Sequence, residues 1–328
     1  MSQHANARMA RRDKQRRKKR KILIVLMPFL IAFIGVAVYA ASLWLKADAV
    51  LSDSVRDIDR DKSELRDKAV DPGKDNVSIL IMGVDMSEKR KNNGNPRSDT
   101  MMLATLNKKE KSVKLLSIPR DSYVYIPYND KRTRINHALA YGGPKAAMDT
   151  VEELLEIPVD YYVTLNFEAF IQVVEAINGI NVDVPYELWE QDSKDRQNAI
   201  HLLPGEQELN GEEALALART RKYDNDIERG KRQQDIIKAI MKKSLSLGSV
   251  FKYGEIIESI GSNMETNMEF SEMQKFLSYG MKGGGPDLEA LSLKGHDATG
   301  PGGMYLYQLD ETALNETKLT LKDHLLIN

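Results

Sequence analysis

An uncharged stretch of 24 residues, Ile22 to Leu45, constrains this 328-residue chain more than any other feature. As a helix it would be about 36 Å long at roughly 1.5 Å per residue, enough to cross a hydrocarbon core of about 30 Å. Residues 1–21 contain ten Lys or Arg and one acid, and such basic segments stay on the cytoplasmic side of a membrane. The pattern predicts a basic cytoplasmic tail over residues 1–21, one transmembrane helix over residues 22–45 and an extracellular domain after it.

A cleaved leader is the alternative to this anchor, because Val38 to Ala40 resemble a signal-peptidase site. The apolar run continues past that site to Leu45 and is longer than the apolar core of a usual signal peptide, which favours the anchor. The basic tail could instead bind nucleic acid, but beside a membrane span a topology signal is the simpler interpretation. We therefore expect a single-pass protein of the cytoplasmic membrane with no nucleic-acid partner.

The rest of the chain is acidic and has no cysteine, so disulfides, thiol nucleophiles and thiolate metal ligands are excluded. Without the tail, 37 basic and 47 acidic residues remain, a net charge near −10. A domain of this length can bury a sufficient core without disulfides. Against the acidic background, the cluster of arginines between residues 219 and 232 is a local exception, which favours a specific anion-binding site.

The pattern of apolar residues predicts a mixed α/β domain. Short apolar runs at 76–83, 100–106 and 113–118 predict buried strands, and the turn-like residues 107–111 predict that the last two strands form an antiparallel pair. Apolar residues at helical spacing predict several helices, of which the longest covers residues 226–245.

Two further features describe the organisation of the chain. Residues 46–75 are polar and charge-mixed and end in Pro72-Gly73, which predicts a helical stalk or linker. Residues 76–328 contain no internal repeat and are most simply one domain. Within it, Asn210 and Glu213 stand at the spacing of a reciprocal capping box and predict a helix start.

The longest predicted helix has a cationic beginning and an apolar continuation on one face. A helix start attracts phosphate through its free N–H groups and its positive dipole end. The pattern therefore predicts a site for an amphiphile with a charged head and an oily tail. The alternative is that the apolar residues are ordinary core and that the arginines pair with Asp224, Asp226 or Glu228. The residues of this face are Arg229, Arg232, Gln233, Ile236, Ile237 and Ile240.

Charged residues also stand at the predicted strand ends. Asp85 follows the first strand, Arg97 and Asp99 precede the second, and Arg120 follows the third. Strand ends are where α/β folds gather ligand groups. Mg²⁺ prefers a few carboxylates together with phosphate oxygens, so Asp85 and Asp99 are candidate metal ligands. The alternative is a pair of solvated turn residues.

Arginine occurs both at the start of the long predicted helix and at the predicted strand ends. Its planar guanidinium group binds phosphate through two parallel hydrogen bonds. Lys145, near a predicted helix start, is a weaker addition. The five histidines show no metal-ligand spacing and no triad with serine. Without a convincing covalent nucleophile, direct phosphoryl transfer by positioning and charge neutralisation is the simplest chemistry. The candidates for one anion site are Arg97, Arg120, Arg219, Arg221, Arg229 and Arg232.

Residues 76 to about 245 resemble the LytR-CpsA-Psr family, whose members are membrane-anchored bacterial phosphotransferases that ligate glycopolymers to peptidoglycan. Each matching motif is short, but their order and spacing over about 160 residues are specific. The motifs are Ile-Met-Gly-Val-Asp85, Arg97-Ser-Asp99-Thr, Leu-Ser-Ile-Pro-Arg120-Asp121, Ile-Asn-His137-Ala-Leu, Ala-Arg219-Thr-Arg221 and Asp226-Ile-Glu-Arg229-Gly-Lys-Arg232-Gln233.

The resemblance implies a single mixed-sheet α/β sandwich with flanking helices and a hydrophobic tunnel for a polyprenyl chain. It implies that arginines bind a pyrophosphate beside Mg²⁺, with Asp85 and Asp99 on the metal side. It also implies headgroup contacts from other motif residues. The role of residues 246–328 stays open. The implied headgroup contacts are Arg97, Arg120, Arg219, Arg221, Arg229 and Gln233.

The resulting hypothesis is a cell-wall ligase that transfers an anionic glycopolymer, with wall teichoic acid favoured, from undecaprenyl pyrophosphate to a peptidoglycan hydroxyl. Asp85, Asp99 and Asp121 remain open as the general base. A hydrolase that cleaves the same lipid-linked donor is one alternative. A non-catalytic regulator that holds lipid carriers is another, and a DNA-binding attenuator is disfavoured because the domain is acidic and exported.

Overall fold

The computed structural model describes residues 54–84, 97–223, 225–246, 263–280 and 286–327. The predicted anchor lies outside these residues. Among the helices that are described, none is long and apolar enough to cross a membrane.

Strands follow one another in the described parts of the chain as short segments separated by turns and helices. They are β1 (Val77–Val84), β2 (Ser98–Asn107), β3 (Ser112–Ser117), β4 (Tyr123–Ile126), β5 (Lys131–Arg134), β6 (Tyr161–Asn166), β7 (Ile180–Val184), β8 (Leu188–Glu190), β9 (Ile200–Leu202), β10 (Gly205–Leu209), β11 (Met264–Thr266), β12 (Asp287–Ser292), β13 (Gly295–Thr299) and β14 (Tyr305–Leu309).

The α-helices of the described residues surround these strands. They are α1 (His137–Leu155), α2 (Phe167–Ala176), α3 (Gly211–Arg219), α4 (Asp226–Ser246), α5 (Phe270–Gly280) and α6 (Glu311–Leu325). Helix α1 begins at His137, before the helix start predicted near Lys145. It is kinked, because Gly143 has a φ of 68° and Pro144 follows it inside the helix.

One six-stranded mixed sheet organises the domain, in the order β11-β6-β1-β2-β3-β12. The predicted antiparallel pairing of β2 with β3 is confirmed, β6 runs parallel to β1, and β12 runs parallel to β3. The mixed α/β class and the flanking helices are therefore confirmed. The short hairpins β4–β5, β8–β9 and β13–β14 lie outside this sheet, and the sequence pattern did not predict their strands β5, β8, β9 and β13.

The two faces of the sheet are buried to different extents. On β1, Leu80 and Met82 are fully buried in the main core, together with residues of α1 and α6. Ile79 and Ile81 point to the opposite face and are only partly buried, although β1 is a central strand. Ile237 of α4 packs against this second face and is also partly buried.

Residues 54–75 differ from the helical stalk that the sequence predicts, because they contain no helix and pack on the domain. Arg66 forms two bonds with the carboxylate of Asp160, at 3.0 and 2.8 Å. Arg60 Nη2 lies 2.5 Å from Oε1 of Glu152 on α1. These ion pairs connect residues about 90 positions apart in the chain, so no local pattern could have indicated them.

Candidate functional site

Arg120 stands at the centre of a cluster of charged residues at one end of the sheet. Strands β2 and β3 are antiparallel, so the start of β2 and the end of β3 lie side by side. Arg120 follows β3 and donates from Nη1 to Oδ1 of Asp99 at the start of β2. Its Nε lies 3.4 Å from Asp121 Oδ2 and 3.9 Å from Asp226 Oδ2. This geometry brings together residues from three separate segments.

The beginning of α4 adds Arg229 to this cluster. Asn225 caps the helix, since its Oδ1 accepts from the backbone N–H groups of Ile227 and Glu228. Arg229 Nη1 lies 3.1 Å from Asp226 Oδ1, and its Nη2 donates to the backbone carbonyl of Asp99 at 3.2 Å. The start of α4 is therefore joined directly to the start of β2.

Arg229 is buried but remains a cation at neutral pH. Burial, together with the positive charges of Arg221 and Arg120, lowers its pKa to about 10, and the carboxylate of Asp226 acts in the opposite direction. The Nε atoms of Arg229 and Arg120 are buried and have no hydrogen-bond partner among the described residues. Buried donors of this kind are costly unless they are satisfied, so the site is suited to an added anion.

Arg219, Arg221 and Arg97 lie at the same end of the sheet. Arg221 Nε is 3.4 Å from Asp226 Oδ1. The Arg219 guanidinium lies 4.5 Å from the ring centre of Phe167, which directly follows the last residue of β6. Arg97 directly precedes β2 and is exposed. Within the described parts of the chain, neither Arg219 nor Arg97 forms an ion pair.

Gln233 lies one helical turn beyond Arg229 and faces the sheet. Its Nε2 is 2.9 Å from Thr100 Oγ1 and 3.0 Å from the carbonyl oxygen of Ala218. Thr100 pairs with Gly83 at the end of β1. Gln233 therefore joins α4, the end of α3 and the sheet, at the border between the charged cluster and the partly buried apolar face.

Two of the predicted binding residues have other partners. Arg232 is buried and donates to the carbonyls of Leu217 and Thr220 at the end of α3, so its described hydrogen bonds hold two helices together. Lys145 pairs with Asp149 at 3.3 Å on the exposed side of α1. These hydrogen bonds of Arg232 and the ion pair of Lys145 lie outside the charged cluster. Asp85, the other predicted metal ligand, lies outside the described residues.

The three isoleucines of α4 do not share one stripe, which differs from the sequence-based expectation. Ile236 and Ile240 face a second core cluster that includes α2, α3 and β7, where Ile236 is almost fully buried. Ile237 faces the partly buried side of the sheet, as does Met241 one turn later. The apolar continuation of Gln233 toward the sheet is therefore Ile237 and Met241, because these residues follow at four-residue spacing.

Sequence analysis missed the importance of Asp226, which it considered only as an alternative partner for the arginines. This carboxylate contacts Arg221 and Arg229 and lies near Arg120. Sequence analysis also missed Arg134, whose Nη1 is 3.0 Å from Asp121 Oδ1. Three carboxylates, Asp99, Asp121 and Asp226, thus lie between the arginines of the site. The signal for Asp226 was present, since acids are favoured in the first turn of a helix.

His137 is a neutral member of the site at pH 7. Burial lowers its pKa to about 4, and the positive charges of Arg97 and Arg134 act in the same direction. Its Nε2 lies 3.2 Å from Arg134 Nη2, and its Nδ1 lies 3.1 Å from Thr133 Oγ1. Since arginine only donates, Nε2 is the accepting nitrogen and Nδ1 carries the proton. His137 therefore orients Arg134.

This lowered pKa predicts a loss of stability in acid. The unfolded chain binds a proton at His137 below about pH 6.5, whereas the folded protein does so only near pH 4, so the free energy of unfolding falls as the pH drops through this window. We expect a loss of about 2 kcal/mol at pH 5 relative to pH 7.5, measured by urea unfolding. His137→Gln should lack this component, and an unchanged pH dependence in the variant would contradict the assignment.

Guanidinium groups from three segments, separated by carboxylates at the end of a mixed sheet, define an α/β domain whose charged site is suited to a multiply charged anion. The sequence profile of the LytR-CpsA-Psr family matches residues 42–323. The chain belongs to this family. It is 40% identical to the polyisoprenyl-teichoic acid–peptidoglycan teichoic acid transferase TagT of Bacillus subtilis, over 97% of this chain and 98% of that protein. It is 36% identical to TagU of the same organism, over 96% and 99% of the two chains.

Solved structures of related proteins have the same fold. TagT bound to LIIa-WTA superimposes with a TM-score of 0.70 at 39% identity, covering 81% of this chain and 97% of that one. TagT with bound octaprenyl pyrophosphate lipid gives a TM-score of 0.66 at 36% identity, covering 82% and 98%. The family resemblance that the motifs indicate is thus confirmed.

Proposed function

We propose that the protein is a phosphotransferase that ligates an anionic glycopolymer, carried on undecaprenyl pyrophosphate, to peptidoglycan through a phosphodiester. The observation that carries this proposal is the convergence of Arg120, Arg221 and Arg229 at the end of the sheet. The buried Nε atoms of Arg120 and Arg229 have no hydrogen-bond partner in the described residues. The relatives TagT and TagU are teichoic acid transferases, which supports the same assignment.

The lipid part of the donor would lie against the second face of the sheet. This face begins at Thr100 and Gln233, next to the arginines, and continues along Ile81, Ile79 and Ile237. Ile79 and Ile81 are only partly buried although β1 is a central strand, and Ile237 of α4 is partly buried opposite them, which leaves surface for an oily ligand. The structure of TagT with bound octaprenyl pyrophosphate supports a polyprenyl chain as the class of ligand.

The reaction follows from the charges of the site. A peptidoglycan hydroxyl oxygen attacks the phosphorus that carries the glycopolymer, the bond to the bridging oxygen breaks, and polyprenyl phosphate leaves with its electron pair. Arg120, Arg221 and Arg229 neutralise the charge that develops on the phosphoryl oxygens. The hydroxyl proton passes to a carboxylate, and Asp99 and Asp121 are both placed beside Arg120.

A magnesium ion is compatible with this donor set. Mg²⁺ needs only one or two carboxylates when water and phosphate oxygens complete its shell, and Asp99 offers a partly exposed carboxylate. In the described residues no group of three metal-binding side chains occurs. Asp99 would hold it together with Asp85, and it would neutralise charge on the pyrophosphate.

The test is product analysis with the purified full-length protein in detergent. A polyprenyl-pyrophosphate-linked glycopolymer and peptidoglycan fragments should yield a phosphodiester-linked product that mass spectrometry detects, and chelation of divalent ions should abolish it. Free glycopolymer phosphate in place of the linked product would favour a hydrolase. Tight donor binding without turnover in Mg²⁺ would favour a non-catalytic carrier-binding regulator.

We also propose that the domain acts outside the cytoplasmic membrane, attached to it by the transmembrane helix predicted at residues 22–45.

A further inference from the structure

The β4–β5 hairpin is a positively charged extension of the arginine site. Strand β5, Lys131–Arg134, contains three cations in four residues. Lys131 and Arg132 are exposed, and neither forms an ion pair with any residue in the described ranges. The acid of the hairpin, Asp130, accepts a hydrogen bond from the hydroxyl of Tyr125 at 2.8 Å. In a domain with an acidic sequence, this strand is a second local exception.

Direct contacts connect the hairpin to the reaction centre. Arg134 Nη1 lies 3.0 Å from Asp121 Oδ1, and the other oxygen of that carboxylate lies 3.4 Å from Arg120 Nε. The backbone N–H of Asn136 donates to the carbonyl of Arg120 at 3.2 Å. The cations of β5 therefore continue outward from Arg120 rather than forming a separate patch.

The geometry of the strand places two of these cations, Arg132 and Arg134, in a row, whereas Lys131 directly precedes Arg132 and lies on the opposite side of the strand. Arg132 and Arg134 are two residues apart, so they lie on the same side of the strand at a spacing of about 6.6 Å. The Arg132 guanidinium lies 5.8 Å from the ring centre of Tyr123. A cation–π contact of this kind orients the guanidinium group without neutralising its charge. The row is thus held in place and keeps its positive charge.

We propose that the β4–β5 hairpin binds the phosphodiester chain of the glycopolymer donor as it leaves the reaction centre. This inference rests on the proposed function, in which the polymer is attached to the transferring phosphate beside Arg120. A polymer with a negative charge in every repeat would meet Arg134, Arg132 and Lys131 next. An anionic membrane surface is the other polyanion that exposed cations attract, but the direct bonds to Asp121 and Arg120 favour a ligand that continues from the site.

The experiment compares two donors and two variants of the full-length protein. One donor carries only the lipid-linked sugar primer, and the other carries the same primer extended by phosphodiester repeats. The test variant is Lys131→Gln with Arg132→Gln. The matched control is Lys109→Gln with Lys111→Gln, two exposed cations in the β2–β3 turn. That turn lies at the opposite end of β2, whose ten residues span roughly 33 Å.

We expect the test variant to lower kcat/KM for the extended donor by at least about fivefold at low salt. The primer donor should change by less than about twofold, and the control variant should resemble wild type with both donors. The difference should vanish near 1 M salt, where the Debye length is about 3 Å. Equal losses with both donors, or no loss with the extended donor, would overturn the proposal.

A direct binding measurement separates this proposal from the proposed function. Fluorescence anisotropy with labelled glycopolymer that carries no lipid should give a weaker affinity for the test variant than for the control. This result would support the hairpin even if neither donor were turned over. If the test variant instead loses binding to vesicles of anionic phospholipid while polymer affinity is unchanged, the hairpin faces the membrane and the proposal is wrong.

Discussion

Replacing Arg219 with alanine is expected to lower turnover by about 100- to 1,000-fold while leaving the fold intact. The guanidinium of Arg219 is stacked on Phe167 at 4.5 Å and has no ion pair among the described residues. A guanidinium that pairs with no carboxylate of the described residues can stabilise negative charge that develops on the transferring phosphate. Its loss should cost the folded protein only about 0.5–1 kcal/mol, the usual size of a cation–π contact.

Three measurements make this expectation specific. Arg219→Ala should show wild-type urea unfolding within about 1 kcal/mol, so that a loss of turnover is not a loss of folded protein. Arg219→Lys should recover only part of the activity, because lysine keeps the charge but lacks the planar fork. Arg56→Ala, which removes an arginine whose side chain is 55% exposed and whose partner Glu265 is also exposed, should behave as wild type. Wild-type turnover in Arg219→Ala would remove this residue from the mechanism.

The parts of the fold that sequence analysis predicted are those with local signals. The capping box of Asn210 and Glu213 is present as predicted, because both residues lie within one helical turn. The strands of the main sheet were recognisable as apolar runs bounded by turns. The short hairpins were not, because polar strands such as β5 have neither an apolar run nor a regular alternation.

Within the site, residue type was predictable, but the direction of each side chain was not. Arg229 and Arg232 are three residues apart on one helix, yet one contacts Asp99 and Asp226 and the other binds the carbonyls of α3. Helical periodicity predicts only approximately which side chains share a face of α4. The packing of α4 between two apolar clusters decides which of its side chains reach the charged site. The same packing separates Ile236 from Ile237.

Replacing Glu152 with alanine is expected to lower the free energy of unfolding by about 3–5 kcal/mol. Glu152 is buried on α1, where its Oε1 lies 2.5 Å from Arg60 Nη2 and 2.5 Å from Ser63 Oγ, and accepts from the backbone N–H of Val159 at 2.7 Å. Removing the carboxylate takes away the acceptor that these donors share. Among the described residues it leaves the buried guanidinium with Asp149 as its one remaining counter-charge.

Glu156→Ala provides the matched control, because Glu156 is exposed and pairs with Lys318 and Lys322 at 2.7 and 3.1 Å. Exposed ion pairs contribute at most about 1 kcal/mol, so the control should unfold close to wild type. In a double-mutant cycle, Arg60→Ala combined with Glu152→Ala should lower the free energy of unfolding by less than the sum of the two single changes. Each single variant leaves the other charge buried without its partner, whereas the double variant removes both. Additive losses would mean that Arg60 and Glu152 do not stabilise each other, and that other contacts hold residues 54–63 to the domain.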